Sequence, residues 1–271
     1  MWSAKHGTRN ATAQKALFGS FCASKKNVPV SPKCWKHFGY CNCAQQSNRK
    51  RKHKTKNIFK RERHHPMIRI AFTKGRIESK AIEIFEKAGY NCDELKNKGR
   101  KLFFNIGDDI EVVLAKANDV ITYVEHGVSD MGIVGKDTIM EMGSGFYEVL
   151  DLGFGKCRFA LAAKKGTDFF GGFSHKVVAS KYPKVAKEYF SSIGMDVEIV
   201  KIDGSVELAP LLGLADGIVD IVETGSTLKE NGLEIVSEVA PVSARLIVNS
   251  ASIKLKKDEI DKVIEKIEKQ I

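Results

Sequence analysis

The chain has 271 residues, of which 43% are hydrophobic and 28% charged, values that describe a globular protein of one or two domains rather than a disordered one. No run approaches the roughly 18 uninterrupted apolar residues that cross a bilayer, and the first residues lack the apolar core of a secretory signal, so a membrane-spanning or exported protein is not expected. The formal charge of +11, from 44 Lys+Arg against 33 Asp+Glu, would favour a polyanionic partner if it were evenly spread.

It is concentrated at one end. Residues 1–66 hold 16 Lys+Arg and one acid, Glu62, a net +15, whereas residues 67–271 hold 28 against 32, a net −4. The leader also lacks a sustained helical or strand period and reads as a disordered basic extension. Several origins stay open for it: a polyanion-binding or nuclear-localisation tract at Arg49–Lys54, a cleaved organelle-targeting peptide, or an upstream start preceding a natural start at Met67. Cys34, Cys41 and Cys43 with His37 invite a zinc reading, but gaps of six residues and then one do not fit the paired ligand spacing of structural zinc sites. Cys92 and Cys157 are too few for a disulfide framework, which favours a reducing cytoplasm.

From Met67 onward, apolar runs alternate with helical patterns, the signature of an α/β fold with largely parallel sheets. In chain order, strands are predicted at 68–72, 111–114, 131–134, 158–162, 176–179, 197–200, 218–222 and 245–248. A helix over 79–88 presents Ala81, Ile82, Phe85 and Ala88 on one face before Gly89. A second runs over 183–193, opened by Pro183 and closed by Gly194. The last, from about Asp258, stacks Ile260, Val263, Ile264, Ile267 and Ile271 as a core or subunit-contact stripe. About eight strands and a glycine-rich middle suit two small α/β lobes with a ligand cleft between them.

The stretch from Glu207 to Leu228 carries the most chemistry. The strand over 218–222 feeds Thr224-Gly225-Ser226-Thr227, a turn opening into a helix at Leu228. Such a turn offers backbone N–H groups, hydroxyls and a helix N-terminus to one anion, and Gly225 permits close approach. The residues do not form a G-x(4)-G-K-[ST] loop, so a monophosphate suits them better than a nucleoside triphosphate. Asp220 and Glu223, just upstream, are placed to accept hydrogen bonds from hydroxyls, and phosphate with a diol suggests a phosphorylated ribose. An ordinary capped turn is the plainer alternative.

Lys74-Gly75-Arg76 follows the first strand at the end where α/β sheets present ligands, and Arg100-Lys101 lies on the next loop. Four cations near an anion cradle, in a body of net negative charge, suggest a polyphosphate; solvated surface charges are the alternative. Gly135-Lys136-Asp137 ends another strand and is weaker evidence for a cleft wall.

Taken together, these segments resemble the ATP phosphoribosyltransferase family. The stretch from Glu207 to Leu228 fits its signature, and the likeness extends to Thr73–Arg76, Tyr123–Gly127, Gly135–Asp137, Leu152–Arg158 and Ser243–Asn249, spanning 67–271 but not the leader. Thr73 stands where many members have proline or serine, a turn substitution expected to be tolerated. The resemblance implies two α/β domains like a type II periplasmic binding protein, with domain I at 67–156 plus 243–271, domain II at 157–242, and the active site between them. Only about 22 residues follow Asn249, so the short form is implied, with a separate regulatory subunit resembling a histidyl-tRNA synthetase and a homodimer within a hetero-oligomer.

The implied reaction joins N1 of the adenine of ATP to C1 of phosphoribosyl pyrophosphate, with inversion and release of pyrophosphate, as the first step of histidine biosynthesis. By resemblance, Thr224, Gly225, Ser226, Thr227 and Leu228 hold the 5′-phosphate, and Asp220, Glu223 and Glu207 lie near the ribose hydroxyls. Lys74, Arg76 and Arg100, with Mg²⁺ carried by the pyrophosphate, meet the developing charge. Gly75, Lys101 and Asp137 complete the expected substrate contacts; no metal ligand is expected from the chain, nor is a membrane or nucleic-acid partner. Cys157, next to Arg158, reads as a packing residue. A solute-binding protein of the same fold, or a nucleic-acid-binding protein driven by the leader, are the rival readings.

Overall fold

The computed structural model describes residues 67–172 and 174–271. The expectations for residues 1–66, including the basic tract and the cysteine spacing, lie outside the described residues.

The described chain forms two mixed sheets. The first contains β1 (Ile68–Thr73), β2 (Phe103–Asn105), β3 (Ile110–Ala115), β4 (Met131–Gly135), β5 (Phe146–Asp151) and β11 (Ala244–Asn249), in the order β2-β3-β1-β4-β11-β5. The second contains β6 (Cys157–Lys164), β7 (Lys176–Ser180), β8 (Val197–Lys201), β9 (Gly217–Val222) and β10 (Leu233–Val242), in the order β10-β6-β9-β7-β8. Within each sheet three strands run parallel, β3-β1-β4 in one and β8-β7-β9 in the other. A strand arriving from the opposite sheet then inserts antiparallel between the third of these and an edge strand: β11 between β4 and β5, β6 between β9 and β10. This reciprocal exchange is the type II binding-protein topology, built twice.

It also corrects the expectation of largely parallel sheets. Five of the nine strand pairings are antiparallel, because each exchanged strand enters against its neighbours and β2 folds back on β3.

Both faces of the central strands are covered, so β1 is almost continuously buried instead of alternating. On one face of the first sheet, Ile70, Phe72 and Leu246 pack with Ala81, Ile82 and Phe85 of α1 (Arg76–Lys87) and with Ile260, Val263 and Ile267 of the last helix, Lys257–Glu268. Of the predicted stripe, Ile260, Val263 and Ile267 are therefore core and Ile264 packs partly buried against them, while Ile271, past the end of the helix, is half-exposed. On the other face, α3 (Ala117–Glu125) buries Val120, Ile121 and Val124; α2 (Asp93–Lys96) is a short turn of helix before β2. In the second lobe, α5 (Pro183–Ser192) lays Val185, Ala186 and Phe190 on Phe159, Val178 and Val219.

The exchange leaves two connections between lobes, Leu152–Lys156 outward and Ser243 back. They are laced together: Leu152 N–H donates to Ala244 O, and Ala244 N–H to Phe154 O, both at 2.9 Å. Ser243 Oγ donates to Asp151 Oδ1 at 2.9 Å. Although partial burial works against its charge, the Gly153 N–H, the Ser243 hydroxyl and Arg245 together hold the Asp151 carboxyl below its ordinary range. No described helix is long and apolar enough to cross a membrane.

Candidate active site

The parallel strands of both sheets point their C-terminal ends at a shared cleft of about 850 Å³, the position where open α/β sheets present ligands. One wall comes from the first sheet: Thr73 ends β1 and Lys74 follows it, Arg76 and Lys80 lie on the first turns of α1, and Gly135 ends β4 with Asp137 just after it. The other wall is the stretch from Asp220 to Leu228 at the end of β9, with Glu207.

The cradle wall is shaped by one backbone angle. Gly225 has φ of +79° and serves as N-cap to α6 (Ser226–Glu230), whose first residues, Ser226 to Leu228, line the cleft. Thr224 Oγ1 and Ser226 Oγ lie 3.0 Å apart at the rim, and the Ser226 N–H points to Thr224 Oγ1 at 3.4 Å. Leu228 turns its side chain into the core with Ile218 and Leu233, so only its backbone is available to a ligand. A turn that brings backbone amides and hydroxyls together at a cavity wall has the chemistry to receive a single anionic group.

Above the cradle, Asp220 is half-buried on β9. Burial first, and then the nearby Glu207 carboxylate, push its carboxyl pKa up. Glu223 is more open and meets Arg76 across the cleft, with Nη1 to Oε2 at 2.9 Å. The Asp137 carboxylate folds back over Gly135, where a Cβ would lie 2.0 Å from Oδ1, so any larger residue there would displace the Asp137 side chain. Asp137 Oδ2 accepts a hydrogen bond from Tyr182 Oη at 3.3 Å.

Lys74, Arg76, Asp137, Glu207, Asp220 and the Glu223–Leu228 stretch thus share one cavity, while Gly75, Arg100 and Lys101 do not line it. Gly75 sets the turn before α1 with φ of +104°, and its N–H is engaged by Glu78 Oε2 at 3.3 Å. Lys101 pairs with Glu94 at 2.9 Å and stands over the Phe104 ring, in a separate hollow beside α2. Arg100 is exposed on the same loop, two residues after Lys98, whose ammonium is held by the buried Glu78 carboxylate. Loop proximity in sequence overstated how far that loop reaches.

The cleft also contains Lys80, which the sequence reading passed over, and Phe154, Lys156 and Ser243, which lie in segments carrying the family likeness but were given no site role. Lys80 was within reach, since it lies one helical turn after Arg76 and so shares its face. Phe154 and Lys156 sit on the outward connection, where no periodicity marks them. Cys157 borders the cavity too; burial first, then Asp137 and Glu223, raise its thiol pKa against the opposing pull of Arg76.

Among the described residues no three His, Cys, Asp or Glu side chains converge as a metal cage. The cleft instead sets two separated acids, Asp220 and Glu223, beside an anion nest, which suits a divalent cation carried in on phosphate oxygens.

Fold and cleft together define a two-lobed α/β protein with a polar cleft between its lobes, lined by Lys74 and Arg76 on one wall and by Thr224–Leu228 on the other. The family model for "HisG: ATP phosphoribosyltransferase" matches residues 116–269. The chain is 62% identical over 205 residues to an ATP phosphoribosyltransferase of Clostridium kluyveri, covering 75% of this chain and 94% of the relative. It is 58% identical over 205 residues to that of Clostridium acetobutylicum, covering 75% and 95%. A chain of the solved ATP phosphoribosyl transferase (HisG:HisZ) complex from Thermotoga maritima superposes with a TM-score of 0.65 at 34% identity, covering 75% of this chain and 97% of that one. The chain belongs to the ATP phosphoribosyltransferase family, pentosyltransferases that catalyse the first step of histidine biosynthesis.

Proposed function

We propose that the cleft performs the transfer with its two walls divided by task. Phosphoribosyl pyrophosphate seats its 5′-phosphate on Thr224–Leu228, with Asp220, Glu223 and Glu207 accepting hydrogen bonds from the ribose hydroxyls. Its pyrophosphate extends across the cleft to Lys74 and Arg76, and Lys80 and Lys156 add positive potential at the rim. The adenine of ATP enters between the walls, so that N1 meets C1 on the face opposite the leaving group. The N1–C1 bond forms as the C1–O bond breaks, inverting C1, and the bonding electrons leave with pyrophosphate.

Adenine N1 has a free lone pair, so the attack needs no base. The demand on the protein is to hold two anionic substrates in line and to stabilise charge gathering on the pyrophosphate. Mg²⁺ bound through that pyrophosphate supplies further charge neutralisation. Arg100 lies outside the cavity and enters this reading as a third cation for the pyrophosphate only once its loop, tied by Lys98 and Glu78 beside Gly75, folds over the bound substrate. Lys101 has no substrate contact in it, being engaged by Glu94.

The observation that carries the proposal is the opposition of the Thr224–Leu228 nest to Lys74 and Arg76 across one cavity. Calorimetry with phosphoribosyl pyrophosphate tests it: a Ser226→Ala/Thr227→Ala chain should bind at least about tenfold more weakly than wild type, two hydrogen bonds to a charged group being lost. Equal affinity would refute the cradle assignment.

The two sheets with their exchanged strands are read as domain I, 67–156 plus 243–271, and domain II, 157–242. The chain is read as the cytoplasmic, short-form catalytic subunit, a homodimer that assembles with a regulatory subunit resembling histidyl-tRNA synthetase. The similarity to a chain from a HisG:HisZ complex supports that partner.

A further inference from the structure

Helix α4 (Lys136–Met142) follows β4 directly and so belongs by connectivity to the first lobe, where Ile139 packs beside Val120 and Val124. Its neighbour Met140 packs into the other lobe, against the cluster of Phe159, Val185 and Phe190. Polar contacts between the lobes run along the same helix. At its start, Lys136 N–H donates to Ser243 O, on the returning connection, at 2.9 Å. One residue on, Asp137 accepts the Tyr182 hydroxyl.

One turn further, Glu141 Oε2 accepts the backbone N–H groups of Lys184 at 3.0 Å and Val185 at 3.2 Å. Those amides open α5, which begins with Pro183 and has no side-chain cap of its own. The first lobe therefore caps a helix of the second, with a carboxylate placed where the helix dipole favours it. Tyr182 is fixed to the second lobe by its N–H to Ser180 Oγ at 2.9 Å, by Ser180 Oγ to Val219 O at 2.6 Å, and by its ring edge-on to Phe159 at 4.9 Å. Val219 lies on β9, the strand that leads into the cradle.

We propose that α4 is the pin about which the lobes are aligned, and that Tyr182 and Glu141 are positioning residues that hold its far end. The proposal rests on the division of the cleft given above. With both ends of α4 attached, the lobes retain one rotation, about the helix, which opens and closes the cleft without shearing Lys74 and Arg76 past the cradle. With the far end released, they also twist, and the line from N1 through C1 to the leaving oxygen is lost more often. Burial first, then Asp137 and Asp220, push the Tyr182 pKa up, so the phenol keeps its proton and stays a donor at neutral pH.

The test uses the full chain with its regulatory partner, ATP, phosphoribosyl pyrophosphate and Mg²⁺. Tyr182→Phe and Glu141→Ala should each lower kcat by about tenfold, the loss expected for a hydrogen bond involving a charged group. The KM for phosphoribosyl pyrophosphate should rise by a smaller factor than kcat falls, because the cradle for its 5′-phosphate lies wholly in the second lobe and only its pyrophosphate reaches Lys74 and Arg76 of the first. Glu141→Gln should recover most of the rate, since its amide oxygen still caps α5. If Glu141→Ala does not fold, Tyr182→Phe and Glu141→Gln carry the same contrast. Unchanged kcat in Tyr182→Phe, or a raised KM at constant kcat, would overturn the proposal. Absence of transfer by the wild-type protein would instead remove the reading of the cleft beneath it.

Discussion

Arg76 and Glu223 meet across the mouth of the cleft, Nη1 to Oε2 at 2.9 Å, although their side chains are 90% and 60% exposed. A pair so open to water contributes roughly 0–1 kcal/mol, so it does not hold the lobes shut. It does park a guanidinium at the end of β9, beside the cradle, with a partner that an incoming pyrophosphate readily replaces.

Arg76→Ala should therefore leave thermal stability almost unchanged while lowering kcat by about a hundredfold, the effect of one preorganised donor worth about 3 kcal/mol. Arg76→Lys should recover little, lacking the planar two-pronged contact. Steady-state rates beside melting curves check both; a rate for Arg76→Ala within twofold of wild type would remove Arg76 from the mechanism.

Gly225→Ala separates space from backbone conformation. A Cβ there would meet Val222 Cγ1 at 3.7 Å and Ile235 Cδ1 at 4.0 Å, ordinary contacts, but φ of +79° is unfavourable for alanine by about 1–2 kcal/mol. The turn should relax toward negative φ and carry its amides away from the cleft. Calorimetric affinity for phosphoribosyl pyrophosphate should fall at least about tenfold, with a modest drop in Tm.

In the proposed role of Asp220, substrate binding is obtained at a cost in stability. Its folded-state pKa is raised, by burial and then by Glu207, so the folded protein binds its proton more tightly than the unfolded chain does. Stability from this group is greatest below its unfolded pKa and declines as pH rises through the folded value, after which the loss is constant. Asp220→Asn should raise Tm at pH 7, and raise it less at pH 4, while weakening substrate binding about tenfold. Melting curves at the two pH values read the sign.

Cys157 tests a negative. Its thiol is pushed up by burial and by Asp137 and Glu223, so little thiolate exists at neutral pH despite the cavity beside it. Cys157→Ala should turn over within about threefold of wild type, and iodoacetamide should inactivate the enzyme slowly. Rapid loss of activity on alkylation would show a reactive thiol.

The regular core was legible because burial on both faces leaves an unbroken apolar run: each of the eight predicted strands, including 68–72 and 218–222, has an observed counterpart, one to three residues longer. The missed strands lack that pressure. Phe103–Asn105 is three residues long, Phe146–Asp151 has no fully buried residue, and Leu233–Val242 is an edge strand with two register shifts and Pro241. Helices α3 and α4 were also missed, one diluted by Asn118, Asp119 and Thr122, the other hidden behind Gly135. In the site, the Thr224–Leu228 turn is local and could be read as a unit. Arg100 and Lys101 depended on how far a loop reaches, which Glu94 and Glu78 decide through contacts made only in the fold. The α4 pin was invisible for the same reason: Glu141 and Lys184 lie 43 residues apart.

The most direct measurement is product formation by residues 67–271, with the regulatory subunit, ATP, phosphoribosyl pyrophosphate and Mg²⁺, followed as the ultraviolet absorbance of N1-substituted adenine together with pyrophosphate release. The account predicts turnover that requires both substrates and is lost with Arg76→Ala. Tight binding of phosphoribosyl pyrophosphate without any N1-substituted product would contradict it.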